Sequence, residues 1–273
     1  MRKKRIIIIA CIIGAIIVLM TVFAAMFNLR YLSVEIRYNS QPLEVYGDSL
    51  ESGIIESGDF AYGSNTLFTS YKESVAKIEK TYPYVKVEKL VRHFPDKMTI
   101  YISGRTKEAL ISHGSSYYVV DVELKVLGVI SSSARTNEAY NTLPVVNGLD
   151  IGTYEAGDFI GKQSNAKHLV PILDGIYGYL ATPSSVMTDI TFDISNEKVV
   201  VTLDNNGADG ATISVSGYSY LKQKVFAAYS AYKNTYETDD VNYPDKSVID
   251  LMVGDNFIPD VNETVTIHDR RND

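Results

Sequence analysis

The chain has 273 residues, of which 45% are hydrophobic and 22% charged, and its formal net charge at pH 7 is −7. This composition is typical of a globular protein and excludes a disordered or collagen-like chain. The acidic balance also argues against nucleic-acid binding, because proteins neutralise phosphate backbones with Lys and Arg. The single cysteine, Cys11, excludes an intramolecular disulfide and a thiolate metal site in the rest of the chain.

An apolar block lies close to the start of the chain. Residues 6–27 contain no charged side chain, whereas residues 2–5 are all basic. As a helix the block would span roughly 33 Å, close to the roughly 30 Å hydrocarbon thickness of a bilayer. The sequence therefore predicts a single N-terminal transmembrane helix over residues 6–28, with residues 1–5 in the cytoplasm and the remainder outside the cell membrane. A cleaved signal peptide is the alternative, although its apolar region is usually shorter, about 7 to 15 residues.

Residues 29–106 predict a small α+β domain in which two helices cover one face of a sheet. In the second helix, Ser70 and Glu73 form a capping-box pattern and Pro83 ends the apolar periodicity. The predicted order is β-α-α-β-β. Its elements are strand Ser33–Tyr38, helix Ser49–Ser57, helix Ser70–Tyr82, strand Tyr84–Arg92 and strand Lys97–Ser103.

Residues 107–259 predict a second, strand-rich β domain with flanking helices, so the whole chain falls in the α+β class. Its predicted strands are Tyr117–Val122, Leu124–Ile130, Asp189–Ile194, Lys198–Leu203, Ala211–Val215 and Ser247–Val253, and its helices are Asn165–Leu180 and Tyr218–Tyr236. The strands Asp189–Ile194 and Lys198–Leu203 are expected to form a hairpin. Residues 260–273 form a polar C-terminal tail that is expected to be poorly ordered.

The sequence carries no motif for catalysis or for a cofactor. The four histidines, His93, His113, His168 and His268, are far apart and do not form metal-ligand spacing. P-loop, GxGxxG, GxSxG and SxxK patterns are missing as well. We therefore expect a non-enzymatic protein without catalytic residues, metal or cofactor. The 20 tyrosines are expected mainly in the core, with an exposed aromatic recognition surface as the alternative.

Several motifs resemble those of one family. Gly63–Phe68, Tyr82–Val85 and Val91–Ile100 follow the order of the "G-x-N-L-F", "P-W-V" and "V-x-R-x-x-P-x-x-L-x-I" motifs of the POTRA domain in FtsQ/DivIB bacterial cell-division proteins. Tyr118–Asp121 and Val248–Leu251 resemble the "Y-L-V-D" and "Y-I-D-L-R" strands of its β domain. The chain is identified on these residues as resembling a Gram-positive DivIB, although Tyr84 replaces the usual Trp and Met252 the Arg.

The resemblance implies a non-enzymatic divisome scaffold at the septum. Such a protein binds FtsL-like and DivIC/FtsB-like single-span division proteins and, through them, helps regulate septal peptidoglycan synthesis. In the family this contact lies just after the "D-L" strand, where a partner can add a strand to a sheet edge. Carried over to this chain, the partner-binding residues are Val253, Asn256, Phe257, Ile258 and Pro259.

Two alternatives stay open at the level of sequence. Phe257 and Ile258 can simply complete the core, because apolar residues are mostly buried for packing. The chain can also be a membrane-anchored extracellular ligand-binding or sensor domain. In that case a sizeable cavity lined by tyrosines is expected.

Overall fold

The computed structural model describes residues 2–63, 70–161, 165–177, 187–205, 208–236, 249–259 and 265–269. The chain divides into two compact units, Met1–Arg105 and Thr106–Asp273. Each unit combines helices with a sheet, which agrees with the predicted α+β class. The motif residues Ser64–Phe68 lie outside the described residues, as do residues 178–180 and 247–248 of two predicted elements.

The structure corrects the prediction of a transmembrane helix. Residues of the apolar block do form a helix, α1 (Arg2–Met26). Across the described parts of the chain, however, no helix is both long enough and apolar enough to cross a membrane, so the prediction of a spanning helix is wrong.

The first unit contains a three-stranded sheet in the order β1-β3-β2. Its elements are β1 (Tyr31–Tyr38), a 3₁₀ segment (Gln41–Ser49), α2 (Leu50–Ser57), α3 (Lys72–Thr81), β2 (Val85–His93) and β3 (Lys97–Gly104). Strand β1 runs parallel to β3, and β2 runs antiparallel to it. This order of elements is the one that the sequence predicts. Helix α3 begins after Tyr71 without a side-chain cap, so the expected capping box of Ser70 does not define its start.

Helices α2 and α3 cover one face of this small sheet. Ile54 of α2 and Ile78 of α3 are fully buried in one apolar cluster with Ile100 of β3. At the end of β3, the buried Arg105 guanidinium lies 3.3 Å from the Glu79 carboxylate of α3. Arg105 Nε also donates to the Val85 carbonyl, so one side chain ties α3 to the sheet. Burial of this charge is tolerated because it is both paired and hydrogen-bonded.

The second unit is built on one mixed nine-stranded sheet in the order β12-β11-β10-β9-β8-β7-β4-β5-β6. Three neighbouring pairs are parallel, β10 with β11, β4 with β7 and β7 with β8. The elements are β4 (Ala109–His113), β5 (Ser116–Val120), β6 (Val126–Ser131), β7 (Val145–Asn147), α4 (Leu169–Tyr177), β8 (Met187–Asp193), β9 (Lys198–Asn205), β10 (Ala208–Ser216), α5 (Leu221–Tyr236), β11 (Ile249–Val253) and β12 (Val265–Asp269).

Helices α4 and α5 cover one face of the large sheet. Ile213 of β10 and Leu251 of β11 are fully buried in the same cluster as Leu173 of α4. Tyr229 and Tyr232 of α5 also lie in this cluster, which confirms the expected core role of tyrosines at these positions. The opposite face of the sheet carries the alternate side chains of β10 and β11, which are polar except for Met252.

Three of the nine strands, β4, β7 and β12, are absent from the sequence prediction. The predicted hairpin is confirmed, because β8 and β9 pair antiparallel. Strand β12, however, lies within residues 260–273, so the expectation of a poorly ordered tail is wrong for Val265–Asp269. Its five residues acquire strand structure by pairing with β11, an interaction that local sequence does not display. The rest of that tail lies outside the described residues.

Two buried carboxyl groups meet where β4 begins and β5 ends. Glu108 is 8% exposed, and its N–H donates to the Val120 carbonyl at 2.8 Å. The neighbouring Asp121 carboxylate accepts hydrogen bonds from the backbone N–H groups of Glu123 and Lys125. Burial, and then the charge of Asp121, raise the pKa of Glu108 to about 7. Ionisation of Glu108 therefore opposes folding.

Replacing this carboxyl should change how stability depends on pH. The pKa of Glu108 is about 7 in the folded chain, against 4.5 for an ordinary Glu, so the folded state binds more protons and loses stability as pH rises between these values. Glu108→Gln should remove this loss and raise the free energy of unfolding at pH 8 by about 2 kcal/mol. Urea unfolding at pH 5, 6, 7 and 8 measures the effect. The exposed Glu138→Gln is the control, and an equal change in both variants would contradict the assignment.

Candidate functional site

The outermost strand at the C-terminal side of the large sheet is β12, and not β11 as the sequence suggests. Strand β11 is parallel to β10 on one side and antiparallel to β12 on the other. In the described residues no further strand pairs with the outer side of β12. An edge strand presents a row of backbone N–H and C=O groups that another extended chain can pair with. The predicted segment 253–259 begins at Val253, the last residue of β11, at this end of the sheet.

The five predicted partner-binding residues divide into two groups by burial. Val253 and Phe257 are 1% and 4% exposed and belong to the core of the second unit. Asn256 is exposed, Ile258 is 50% exposed and Pro259 is partly exposed. Phe257 therefore completes the core, whereas Ile258 does not. Any partner at this turn can contact Asn256, Ile258 and Pro259 directly.

A buried lysine lies beneath this turn. Lys224 of α5 is fully buried, and its ammonium donates to the carbonyl oxygens of Ser216 and Gly217 at the end of β10. Burial lowers the pKa of Lys224, and the nearby Asp255 carboxylate partly opposes that effect. Gly217 has a positive φ of 68°, and a Cβ at this position would collide with the Asp255 carboxylate. Lys224 and Gly217 thus fix the place where the turn after β11 meets the end of β10.

The open face beside the edge carries a cross-strand row of polar side chains. Thr212 of β10 lies opposite Asp250 of β11, which lies opposite His268 of β12. The Thr212 hydroxyl donates to the Asp250 carboxylate, and His268 Nδ1 lies 4.0 Å from the other carboxylate oxygen. Nucleophilic catalysis needs the imidazole between the hydroxyl and the carboxylate. Here the carboxylate is in the middle, so the row links strands and does not activate the hydroxyl.

Apolar side chains lie on both faces of the sheet at β11 and β12. Met252 of β11 is 41% exposed on the open face, and Ile267 of β12 is 37% exposed on the face that the helices cover. Val265 packs against the core from the same strand. A strand added to β12 would therefore find apolar surface for its alternate side chains on each face. The alternation Val265-Thr266-Ile267-His268 is the sequence signal for this edge, and it was hidden among charged flanks.

A ligand-binding domain is expected to contain a cavity lined by tyrosines. The cleft beside α3 in the first unit does not have such a lining. The cleft there is lined by Tyr71 together with Val75, Leu90, Arg92 and Phe94. Only one of these is a tyrosine, and its ring is largely buried under the Arg92 guanidinium, 5.4 Å away. Over the described ranges, no group of three or more His, Cys, Asp and Glu side chains could hold a metal ion.

Comparison of the chain with protein-family models and with curated proteins gave no match. The resemblance to the FtsQ/DivIB family therefore depends on its motifs alone. Of those motifs, Tyr82–Val85 and Val91–Ile100 lie around β2 and β3 of the small sheet. Tyr118–Asp121 includes the end of β5, and Val248–Leu251 overlaps the start of β11.

The two apolar residues of the turn should respond differently to truncation. Phe257→Ala should lower the free energy of unfolding by about 3 kcal/mol or more, because the ring is buried in the core. Ile258→Ala should change it by less than about 1 kcal/mol, because half of that side chain is exposed. Denaturant unfolding of both variants checks this order. Equal losses would mean that the turn packs differently from the structure.

Removing the buried ammonium should loosen the same end of the sheet. Lys224→Met leaves the carbonyl groups of Ser216 and Gly217 without this donor, at a cost of about 1 to 3 kcal/mol in unfolding free energy. The control is Lys222→Met on the same helix, whose exposed ion pair with Asp174 should be worth less than about 1 kcal/mol. Hydrogen exchange should quicken at β11 and β12 only in the Lys224 variant. Similar behaviour of the two variants would refute a supporting role for Lys224.

Proposed function

We propose that this chain is a non-enzymatic scaffold of the bacterial divisome. In this proposal it binds FtsL-like and DivIC/FtsB-like division proteins at the septum, and through them it helps regulate the septal peptidoglycan synthase indirectly. The identity of the partners comes from the resemblance to the FtsQ/DivIB family. The observation that supports partner binding most directly is the outer edge of β12 at the end of the nine-stranded sheet.

The other sheet edges support this choice, because each has an outward group that is already engaged. Residues 157–160 cover the start of β6, where the Val126 N–H donates to the Asp158 carbonyl and the Gly157 N–H to that of Val126. Glu51 accepts from the Val34 N–H on β1, and Glu79 accepts from the Val87 N–H on β2. Such contacts protect an edge from pairing with other chains.

Strand β12 also has the composition of an edge that accepts a partner. Its residues Val265–Asp269 include no Pro and no Lys, and their register with β11 has no bulge. Proline, lysine and bulges are the usual devices that block an edge. We infer that the partner adds a strand along β12 while Asn256, Ile258 and Pro259 contact it from the adjacent turn. Val253 and Phe257 then position that turn from the core.

A pair of proline variants tests strand addition. Successive backbone N–H groups of a strand point to opposite sides of that strand. Of the two variants Thr266→Pro and Ile267→Pro, one therefore removes a hydrogen bond to β11, and the other removes an N–H that points outward from the sheet edge. The variant that keeps its unfolding midpoint should lose capture of purified DivIC/FtsB-like and FtsL-like extracellular domains by roughly tenfold or more. Capture at the original strength by that stable variant would exclude pairing through β12.

A charge at the turn provides an independent side-chain test. Ile258→Glu should weaken capture several-fold without unfolding the chain, since half of that side chain is exposed. Val129→Glu is the matched control, because Val129 is 47% exposed on β6 at the opposite edge of the same sheet. Equal effects of the two variants would mean that added negative charge, and not the turn, governs binding.

A further inference from the structure

The small sheet of the first unit has an open face on which three cations contact tyrosine rings. Helices α2 and α3 cover the other face, so the alternate residues of β1, β2 and β3 point away from them. Lys97 of β3 lies 5.5 Å from the ring centre of Tyr31. Arg37 of β1 and Lys89 of β2 lie 5.3 Å and 4.9 Å from the ring centre of Tyr101. We refer to Arg37, Lys89 and Lys97 as the cation triad.

The triad differs from those cations of the chain that form ion pairs. Lys77, Arg105 and Lys222 each lie within 4.0 Å of a carboxylate. For the triad, the structure gives only ring contacts among the residues that it describes. Lys86, which is partly exposed, also lies on this face, opposite Ser103. This surface is therefore locally positive on a chain whose net charge is −7.

Two acidic residues, Glu35 and Glu88, share the open face but form no ion pair with the triad in the described residues. Glu88 is engaged as acceptor of the Ser103 hydroxyl, and Glu35 lies opposite Tyr101 on the exposed strand β1. Cation–ring contacts fix the direction of the three side chains but leave their charge uncompensated. An anionic partner can then pair with cations that are already ordered, which reduces the entropy lost on binding.

We propose that this face binds an acidic polypeptide segment in an extended conformation. The rings of Tyr31 and Tyr101 are already occupied by cations, so stacking of bases or sugars would have to displace them. Lys97 and Tyr101 are four residues apart on β3, which is about 13 Å along a strand. Acidic residues four apart in an extended peptide have the same spacing and point to one side. This surface belongs to the first unit and does not depend on the proposed role of β12.

Binding of a synthetic peptide to the full chain tests the proposal. The probe is a fluorescent nine-residue peptide of alternating Glu and Thr, with a Gln-Thr peptide of equal length as the neutral control. Anisotropy should show binding of the Glu peptide only, weakening between about 50 and 300 mM salt. Arg37→Gln/Lys89→Gln should reduce that affinity by roughly tenfold. Lys72→Gln/Lys167→Gln removes two exposed charges elsewhere and should leave it within about twofold.

A further variant and two competing ligands make the outcome specific. Tyr101→Leu keeps every charge but removes the ring that orders Arg37 and Lys89, and it should weaken binding several-fold. Circular dichroism confirms that each variant is folded. Failure of the Glu peptide to bind, equal losses in the control double variant, or tighter binding of inorganic polyphosphate or single-stranded DNA would each overturn the proposal.

Discussion

The second unit depends on one constraint. Side chains alternate between the two faces of its sheet, and helices cover one of those faces. Ile213 and Leu251 point to that face and are fully buried, whereas Thr212 and Asp250 are their neighbours on the open face. A shift of one residue in the pairing would bury Asp250 and expose Leu251. The hydrophobic pattern thereby fixes the register of β10, β11 and β12, and with it the position of the sheet edge.

The turn after β11 combines core residues and proposed contact residues within a few positions. Phe257 inserts into the core, and Asp255 lies over Gly217 beside the buried Lys224. These contacts fix the conformation of the turn's backbone. Asn256 and Ile258, which alternate with them, remain exposed. A rigid support of this kind lowers the conformational entropy that a binding loop loses when it meets a partner.

Local periodicity explains which parts of the fold could be predicted from the sequence. Helix α5 shows helical spacing at Leu221, Val225 and Ala228, and the β8–β9 hairpin alternates around a short polar turn. Strands β4 and β12 have only five residues each, and the alternation within β12 is too short to predict a strand without its neighbour in the sheet.

The candidate site shows the same limit. Its place at the C-terminal end of the sheet follows from the order of motifs, but apolar character alone does not tell whether Phe257 or Ile258 faces the core. The apolar block illustrates a related point. A run of apolar residues shows how long a helix can be, but not whether that helix lies in a membrane. The cation triad could not be predicted from the sequence, because Arg37, Lys89 and Lys97 come to one face of the sheet only when three strands pair.

The parallel pairing of β10 with β11 has a consequence for the order in which the chain acquires the proposed binding surface. Parallel neighbours need a crossover, and α5 lies between these two strands in the sequence. While the ribosome is still producing residues 221–248, β10 has no partner on its outer side and is itself the edge of the nascent sheet. The outer side of β12 exists only after residues 249–269 have emerged and docked. Partner recognition through β12 would thus be delayed until translation of the second unit is complete.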